Sequence, residues 1–192
     1  PENLDIAAAV KTRSILLFLG PLIHSCPRFK LPHPGGCQLG IRTVAPHLFA
    51  LERLGVKIVS RHDHYEVSAG QLRPNQEIIL YEAGDTVTAN ILIAAARLPG
   101  LTTVKFASAN YMIQDLCHFL EQLGVAIEGI GTSTLRIRGQ AEINQSISYL
   151  AGEDPIEAML FLAIAATTGS ALTIKRCAID FLELELLKLA KM

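Results

Sequence analysis

The chain lacks an excess of charge of either sign. It has 17 Lys and Arg residues against 18 Asp and Glu residues, which gives a net charge of −1. Because no basic cluster stands out, there is no electrostatic reason to expect nucleic acid or an anionic membrane as a partner. A bound anion would have to be held by a few local arginines.

Long apolar runs are missing as well. The richest run, residues 14–23, contains Gly20-Pro21 and falls well short of the ~18 residues that are needed to span a bilayer. No secretion signal is expected, because the chain opens with Pro1-Glu2. We therefore expect a cytoplasmic protein, and the missing initiating Met indicates that the natural N-terminus lies upstream.

Cysteine is scarce and no C-x-x-C pair occurs; the four cysteines are Cys26, Cys37, Cys117 and Cys177. Their low density in a chain with 50% hydrophobic residues favours free thiols over two disulfides. Cys117 and Cys177 fall among apolar residues and are predicted to be inert core thiols. A possible zinc set consists of His24, Cys26, His33 and Cys37. Its spacing differs from that of structural zinc sites, so we expect neither a metal nor a cofactor.

The sequence repeats itself at a spacing of 69 residues. Residues 51–70 (LERLGVKIVSRHDHYEVSAG) align with residues 120–139 (LEQLGVAIEGIGTSTLRIRG). Each stretch predicts the end of a helix, a stop glycine and a β-hairpin. Residues 90–108 and 157–178 also correspond, and each predicts an Ala-rich helix followed by a Thr/Val/Ile strand. One repeat therefore reads strand, helix, strand, helix and hairpin.

These repeats predict an α/β (α+β) fold with an inside-out, barrel-like arrangement. The first repeat covers roughly residues 1–71, the second 77–140, and a third starts near residue 146. Repeats that cannot bury their apolar faces alone must pack together, so we expect their helices inside and their sheets outside. As domains, residues 1–145 hold two repeats, and residues 146–192 hold the start of a third that is cut short.

A loop in the first repeat interrupts the pattern. The second repeat passes from strand to helix at Tyr111 after about two residues, whereas the first needs about twelve to reach the helix near Val44. The extra segment, PHPGGCQLGIRT, is therefore an insertion on the scaffold, where function is often located.

The inserted loop combines a thiol with basic residues. Gly35-Gly36 leaves backbone amides open to a ligand, and Cys37 follows directly. Arg13, Arg42 and His47 are close in sequence or in the same repeat, and cationic neighbours favour the reactive thiolate form. The arginines could also bind phosphate or carboxylate. The alternative interpretation is an ordinary surface turn.

The stretch LPHPGGCQLGIRTVAPHLFALERLGVKI resembles the active-site loop and following helix of the UDP-N-acetylglucosamine enolpyruvyl transferase family, whose pattern is L-P-G-G-C-x-I-G-x-R-P-V-D-x-H. KTRSILLFLGPL is similar to the family's K-x-R-A-S-x-x-x-x-G-P-L helix. The segments ANILIAAARLPGLTTVKFAS and YLAGEDPIEAMLFLAIAATTG resemble its middle repeat and the crossing into its other domain. The resemblance thus extends along most of the chain.

The resemblance implies two domains of three repeats each, arranged around a pseudo-threefold axis with the substrates between them. The implied reaction transfers the enolpyruvyl group of phosphoenolpyruvate to the 3′-hydroxyl of UDP-N-acetylglucosamine and releases phosphate, without a metal or cofactor. This is the first committed step of peptidoglycan synthesis, which supports cell shape and division. The partners would be these two substrates and the second domain of the same protein.

The resemblance also assigns residue roles. Cys37 would attack or protonate phosphoenolpyruvate and would be the thiol that fosfomycin alkylates. Arg13 and Arg42 would grip the phosphoenolpyruvate anion, and Arg42 is assigned to catalysis as well. The residues expected to contact UDP-N-acetylglucosamine are Arg42, Val44, His47, Gly84, Asp85 and Thr88.

Several positions depart from the family pattern. Thr43 replaces a proline, Ala45 replaces an aspartate that contacts the uridine side, and Gly84-Asp85 stands where the family has Ser-Val. Two alternatives therefore stay open: a same-fold enolpyruvyl transferase with another acceptor, and a non-catalytic module that binds a nucleotide sugar or a partner. The family's N-terminal Lys-Asn pair and catalytic aspartate fall outside the chain, so we expect little turnover from it alone.

Three further motifs have structural interpretations. Residues 61–64 (RHDH) predict a solvated hairpin tip. Residues 153–157 (EDPIE) predict a helix start with Asp154 as N-cap, Pro155 at the first helical position and Glu157 reaching back. Residues 183–191 predict an amphipathic helix with one solvated face.

Overall fold

Helices and strands alternate along residues 5–35 and 43–192, the residues that this computed structural model describes. The chain separates into an N-terminal body, residues 1–147, and a C-terminal body, residues 148–192. The helices of the N-terminal body are α1 Ile6–Ala9, a 3₁₀ segment Arg13–Phe18, α2 Leu19–Ser25, α3 Ala45–Arg53, α4 Asp85–Ala96 and α5 Tyr111–Gln122. Its strands are β1 Arg28–Pro32, β2 Lys57–Ser60, β3 His64–Ser68, β4 Glu77–Ile79, β5 Gly100–Lys105, β6 Ala126–Glu128 and β7 Thr134–Gly139.

The strands of the N-terminal body form two separate sheets. The first is antiparallel with the order β1-β3-β2, and the second has the order β4-β5-β7-β6 with only β4 and β5 parallel. Alternate side chains such as Phe29 and Leu31 face the core, whereas Arg28 and Lys30 face solvent. The predicted α/β class is confirmed. Among the described residues both sheets are open, and no closed barrel forms.

Helix α4 lies at the centre of the N-terminal body. It contacts α2, α3, α5 and β7. Val87, Ile91 and Leu92 are buried, together with the alanines of its last turn. The prediction of an interior helix at residues 91–96 is therefore confirmed, because a helix that is apolar on nearly all sides must be covered on nearly all sides.

The second repeat has the predicted order of strand, helix, strand, helix and hairpin, in β4, α4, β5, α5, β6 and β7. The prediction of a constant spacing of 69 residues is wrong for the strand that follows the hairpin turn. Ile58 pairs with Val67 in the first hairpin and Ile127 pairs with Ile137 in the second, so the returning strand is displaced by one further residue. An alignment of the two repeats without a gap would match half-exposed Glu66 with buried Leu135. A shift of one residue along a strand turns each side chain to the opposite face of the sheet, so the gap is required.

The longer loop in the first repeat is confirmed. β1 ends at Pro32 and α3 begins at Ala45, whereas β5 ends at Lys105 and α5 begins at Tyr111. The second connection thus spans residues 106–110, longer than the two residues expected. Cys37 and Arg42 lie outside the described residues.

The C-terminal body contains α6 Pro155–Thr168, a 3₁₀ turn Ile179–Phe181 and α7 Glu183–Ala190. Asp154 caps α6 as predicted, because its side chain accepts hydrogen bonds from the backbone N–H groups of Ile156 and Glu157. The strand predicted near residues 171–175 does not form. A strand needs a neighbour for its backbone hydrogen bonds, and residues 148–192 contain no other strand. Cys177 is half-buried in a loop rather than in a core, whereas Cys117 is fully buried as predicted.

Candidate functional site at the helix starts

Arg13 connects the first helical segment to the end of the inserted loop. It is the first residue of the 3₁₀ segment, and its Nη2 donates a hydrogen bond to the backbone oxygen of Thr43 at 2.8 Å. Thr43 immediately precedes the N-cap of α3, Val44, which is half-buried against the core. The guanidinium therefore lies where the loop returns to the scaffold.

The beginning of the same loop is also anchored. The backbone N–H of His33 donates to the oxygen of Asp63 at 3.2 Å, and its ring packs on Tyr65 with centroids 4.5 Å apart. A side chain at Gly35 would collide with the backbone oxygen of Val10, so only glycine fits there. Arg13 acts electrostatically on Tyr65, whose pKa is raised chiefly by burial. Both ends of the loop thus lie near Arg13.

The second repeat holds its corresponding connection in a similar way. Asp85 is the first residue of α4, and its carboxylate accepts hydrogen bonds from Ser108 Oγ at 2.5 Å and from Asn110 Nδ2 at 3.0 Å. Ser108 and Asn110 belong to the segment between β5 and α5. In each repeat, the residue at a helix start therefore secures the segment that leads into the next helix.

A contact between the two repeats joins these arrangements. His47, in the first turn of α3, lies with Nε2 3.3 Å from the hydroxyl of Thr86 in the first turn of α4. The starts of the 3₁₀ segment, α3, α4 and α5 therefore meet at one end of the N-terminal body. Helix starts carry partial positive charge, and with Arg13 beside them this end is suited to hold anions.

Beneath this end, Asn90 forms a buried polar hub. It is fully buried, and its Oδ1 accepts a hydrogen bond from the N–H of Gly20 at 2.7 Å. Its Nδ2 donates to the oxygen of Leu16 at 2.8 Å and lies 3.1 Å from His47 Nδ1. Asn90 thus fixes α4 to the 3₁₀ segment, α2 and α3 at once.

His47 is neutral in this environment. It is 3% exposed, and burial, followed by the charge of Arg13, lowers its pKa from 6.5 to about 4. At neutral pH the ring therefore carries one proton and can donate one hydrogen bond and accept another.

Thr88 is committed to internal hydrogen bonds. It is fully buried, its hydroxyl donates to the oxygen of Gly84 at 2.8 Å, and it accepts from the N–H of Ser108 at 3.0 Å. Gly84 is the N-cap of α4 and is half-buried. The structure therefore gathers Arg13, Val44 and His47 with Gly84, Asp85 and Thr88 near the helix starts. The substrate contacts expected of them stay predictions.

Sequence reasoning missed the roles of Asn90, Thr86 and Ser108. Asn90 gave one usable signal, because an amide in an otherwise apolar helix must find buried hydrogen-bond partners. Thr86 and Ser108 gave none, since their neighbours come from segments distant in sequence.

The described residues contain no group of three or more His, Cys, Asp or Glu side chains that could hold a metal ion. Of the possible zinc set, His24 lies with Nε2 2.7 Å from the backbone oxygen of Ala94. Burial lowers its pKa, although this hydrogen bond acts in the opposite direction. Among the described helices, none combines the length and apolar character required to cross a membrane.

Fold and site together define an α/β protein in which several helix starts and a guanidinium form an end suited to anions. The chain belongs to the EPSP synthase (3-phosphoshikimate 1-carboxyvinyltransferase) family, which it matches over residues 3–192. Its fold is similar to the crystal structure of the enolpyruvyl transferase NikO from Streptomyces tendae, with a TM-score of 0.63 and 20% identity over 77% of this chain and 35% of that one.

Curated relatives carry the name UDP-N-acetylglucosamine 1-carboxyvinyltransferase. The protein from Bradyrhizobium diazoefficiens is 37% identical over 94% of this chain and 41% of its own length. That from Thermodesulfovibrio yellowstonii is 34% identical over 94% of this chain and 43% of its own length. The chain thus spans about two fifths of the length of these relatives.

Proposed function

We propose that the protein containing this chain transfers the enolpyruvyl group of phosphoenolpyruvate to the 3′-hydroxyl of UDP-N-acetylglucosamine. The observation that carries this proposal is the position of Arg13, near both anchored ends of the loop whose sequence includes Cys37 and Arg42. Its charge, added to that of the helix starts, suits a substrate that carries both a phosphate and a carboxylate. The names of the curated relatives support the same reaction.

The proposed reaction is an addition followed by an elimination. In the addition, the acceptor hydroxyl loses its proton as its oxygen bonds to C2 of phosphoenolpyruvate, and a proton adds to C3. In the elimination, the C2–O bond to phosphate breaks, phosphate leaves, and C3 loses a proton. Cys37 would exchange the C3 proton or attack C2 directly, and Arg13 and Arg42 would hold the anionic groups. Arg42, Val44, His47, Gly84, Asp85 and Thr88 would form the nucleotide-sugar side. Since His47 and Thr88 are buried, they would act by shaping the helix starts.

The chain would supply only part of the working enzyme. We propose that residues 1–145 form two of the pseudo-threefold repeats and that residues 146–192 begin a third leading to a second domain. The complete protein would act in the cytoplasm, in the first committed step of peptidoglycan synthesis, and would be alkylated by fosfomycin at Cys37. The chain alone would turn over poorly, because a catalytic aspartate and further arginines are expected elsewhere.

Phosphate release from phosphoenolpyruvate plus UDP-N-acetylglucosamine tests the proposal in the complete natural chain. We expect release in the wild type and its loss in Cys37→Ser. Cys177→Ser is the matched control, because Cys177 is a half-buried thiol outside the N-terminal body and should leave the rate unchanged. A folded wild type that releases no phosphate would refute the assigned reaction.

A second candidate is an enolpyruvyl transferase with another acceptor. At Ala45 the family pattern has an aspartate, but here the exposed alanine offers only its backbone N–H, which donates to Thr43 Oγ1 at 3.1 Å. Without that carboxylate, there is less reason to expect that this segment contacts the uridine part of UDP-N-acetylglucosamine. A thermal-shift screen separates the candidates: stabilisation by UDP-N-acetylglucosamine supports the first, stabilisation only by other nucleotides supports the second, and no response supports a non-catalytic module.

A further inference from the structure

The first sheet carries an open groove on its outer face. The groove has a volume of about 530 Å³ and crosses all three strands. Its charged lining residues are Arg28 and Lys30 of β1, Lys57 of β2, Arg61 directly after β2 and Glu66 of β3. Because these residues are far apart in the sequence, they form no basic cluster there. Only the pairing of the strands brings them together.

The strand register arranges these charges in two rows. Arg28 of β1 and Lys57 of β2 both pair with Ser68 of the central strand, so the two cations flank one serine. In the next row, Lys30 lies opposite Glu66. Side chains two residues apart on a strand share a face at a spacing of about 6.5 Å, so Arg28 and Lys30 line one side of the groove.

The groove pairs one of its cations internally. Arg61 donates to Glu66 Oε2 from Nε at 3.0 Å and from Nη2 at 2.8 Å. This hydrogen bonding holds the pKa of Glu66 below its usual range, so the carboxylate is charged at neutral pH. Within the described part of the chain, Arg28, Lys30 and Lys57 form no ion pair. The groove is therefore positively charged in a chain whose net charge is −1.

The second sheet provides a comparison. One row across its outer face consists of Glu77, Thr103, Arg136 and Glu128. Lys105 pairs with Glu77 at 2.9 Å, and Arg136 lies 3.8 Å from Glu128. The two sheets share the antiparallel strand order, β1-β3-β2 in one and β5-β7-β6 in the other. The unpaired charge of the first sheet is thus a property of its side chains and not of the fold.

The shape and lining of the groove favour a peptide over other polyanions. Carboxylates at alternate positions of an extended segment recur at about 6.5 Å, the spacing of Arg28 and Lys30. Single-stranded nucleic acid is less suited, because the aromatic residue of the lining, Phe29, is buried and offers no face for a base. An anionic membrane is less suited too, since Val59 is half-buried and supplies little apolar surface for insertion.

We propose that this groove is a docking surface for an extended acidic segment of a partner protein. Alternate Asp or Glu side chains of the segment would pair with Arg28, Lys30 and Lys57. Glu66 opposes this binding, because it adds a negative charge and holds Arg61. The interaction is separate from the proposed reaction, since none of the groove residues belongs to the helix starts of the candidate site.

Fluorescence anisotropy on the complete natural chain tests the proposal. The probe is a labelled eight-residue peptide with Glu at alternate positions, and its control carries Gln instead. We expect the Glu peptide to bind and the Gln peptide to bind at least about tenfold more weakly. Reversal of both flanking cations, Arg28→Glu with Lys57→Glu, should weaken the Glu peptide about tenfold. Glu66→Gln should strengthen it about two- to fivefold, because Arg61 is released.

Arg138→Glu is the matched control, since Arg138 is an exposed cation on the outer face of the second sheet. It should change binding by less than about twofold. An equal effect of this control and of the double reversal would overturn the proposal, as would a failure of the wild type to distinguish the Glu and Gln peptides. If the double reversal lowers the melting temperature, Arg28→Gln with Lys57→Gln replaces it and should weaken binding about threefold.

Other occupants of the groove give different results. Tighter binding of single-stranded DNA or of tripolyphosphate than of the Glu peptide, lost in the double reversal, would overturn the assignment to an acidic peptide. Sedimentation of the wild type as a dimer and of the double reversal as a monomer would also overturn it, because a second copy would then cover the groove.

Discussion

The backbone N–H of Gly20 and the side-chain oxygen of Asn90 form a hydrogen bond of 2.7 Å between residues that are 70 positions apart. This contact brings α2 directly against α4, and it begins the chain of hydrogen bonds that reaches His47 and Thr86. The helix starts that form the candidate site are therefore set by a contact deep in the core.

Gly20→Ala should destabilise the protein by about 1–3 kcal/mol, although Ala usually favours helices over Gly by roughly 0.5–1 kcal/mol. A Cβ at this position would lie 2.7 Å from Asn90 O and 2.8 Å from its Oδ1. Urea unfolding measures the change. Gly70→Ala is the matched control, because no heavy atom lies within 4 Å of a Cβ there. Equal effects of the two substitutions would contradict the close packing.

Stability should fall as the pH drops from about 6.5 to about 4. In the unfolded chain His47 takes up a proton near pH 6.5, whereas in the folded chain it does so only near its lowered pKa of about 4. Between these two pH values protonation therefore favours the unfolded chain. Over this pH range the free energy of unfolding should fall by about 3 kcal/mol because of His47. His24 acts in the same direction, because burial lowers its pKa too.

Comparison of pH profiles isolates the contribution of His47. The free energy of unfolding of His47→Gln should depend less steeply on pH than that of wild type. His62→Gln, at the exposed hairpin tip, is the control. A His47→Gln profile parallel to wild type would show that His47 does not titrate as proposed.

Asp85→Ala should destabilise the protein by about 1–3 kcal/mol, because Ser108 and Asn110 lose their acceptors and Ser108 is buried. Asp85→Asn keeps one acceptor oxygen and should therefore lose less stability than Asp85→Ala. Thermal unfolding checks the order of the two variants, with Glu52→Ala on the exposed face of α3 as control. An Asp85→Ala variant as stable as this control would contradict the anchoring role.

Cys117 should resist alkylation by iodoacetamide in the folded protein. It is fully buried, and burial raises its pKa to about 12, so only about one thiol in ten thousand is ionised at pH 8. Half-buried Cys26 and Cys177 should react faster. Mass spectrometry of the labelled peptides gives the three rates, and in urea all three should become similar. Native labelling of Cys117 as fast as Cys177 would show that this part of the core opens readily.

Much of the local structure along the chain could be predicted because its signals depend only on nearby residues. The apolar run of α4 predicts an interior helix, and Gly55 and Gly124 adopt positive φ angles of 89° and 87° where helices were predicted to stop. The capping sequence at Asp154 likewise needs only its own neighbours. The one-residue change in the second hairpin was missed, because the repeat pattern alone does not reveal an added turn residue.

The amino-acid sequence by itself determined the order of helices and strands in the second repeat, the caps and stops of helices, and the family. Each of these depends on residue types at short, fixed spacings. Only the tertiary structure decided that the hydroxyl of Thr88 is used in internal hydrogen bonds, that His47 lies within hydrogen-bond distance of Thr86, and that residues 171–175 form no strand. These outcomes depend on which distant backbone and side-chain groups become neighbours, because a hydrogen bond is defined by both of its partners.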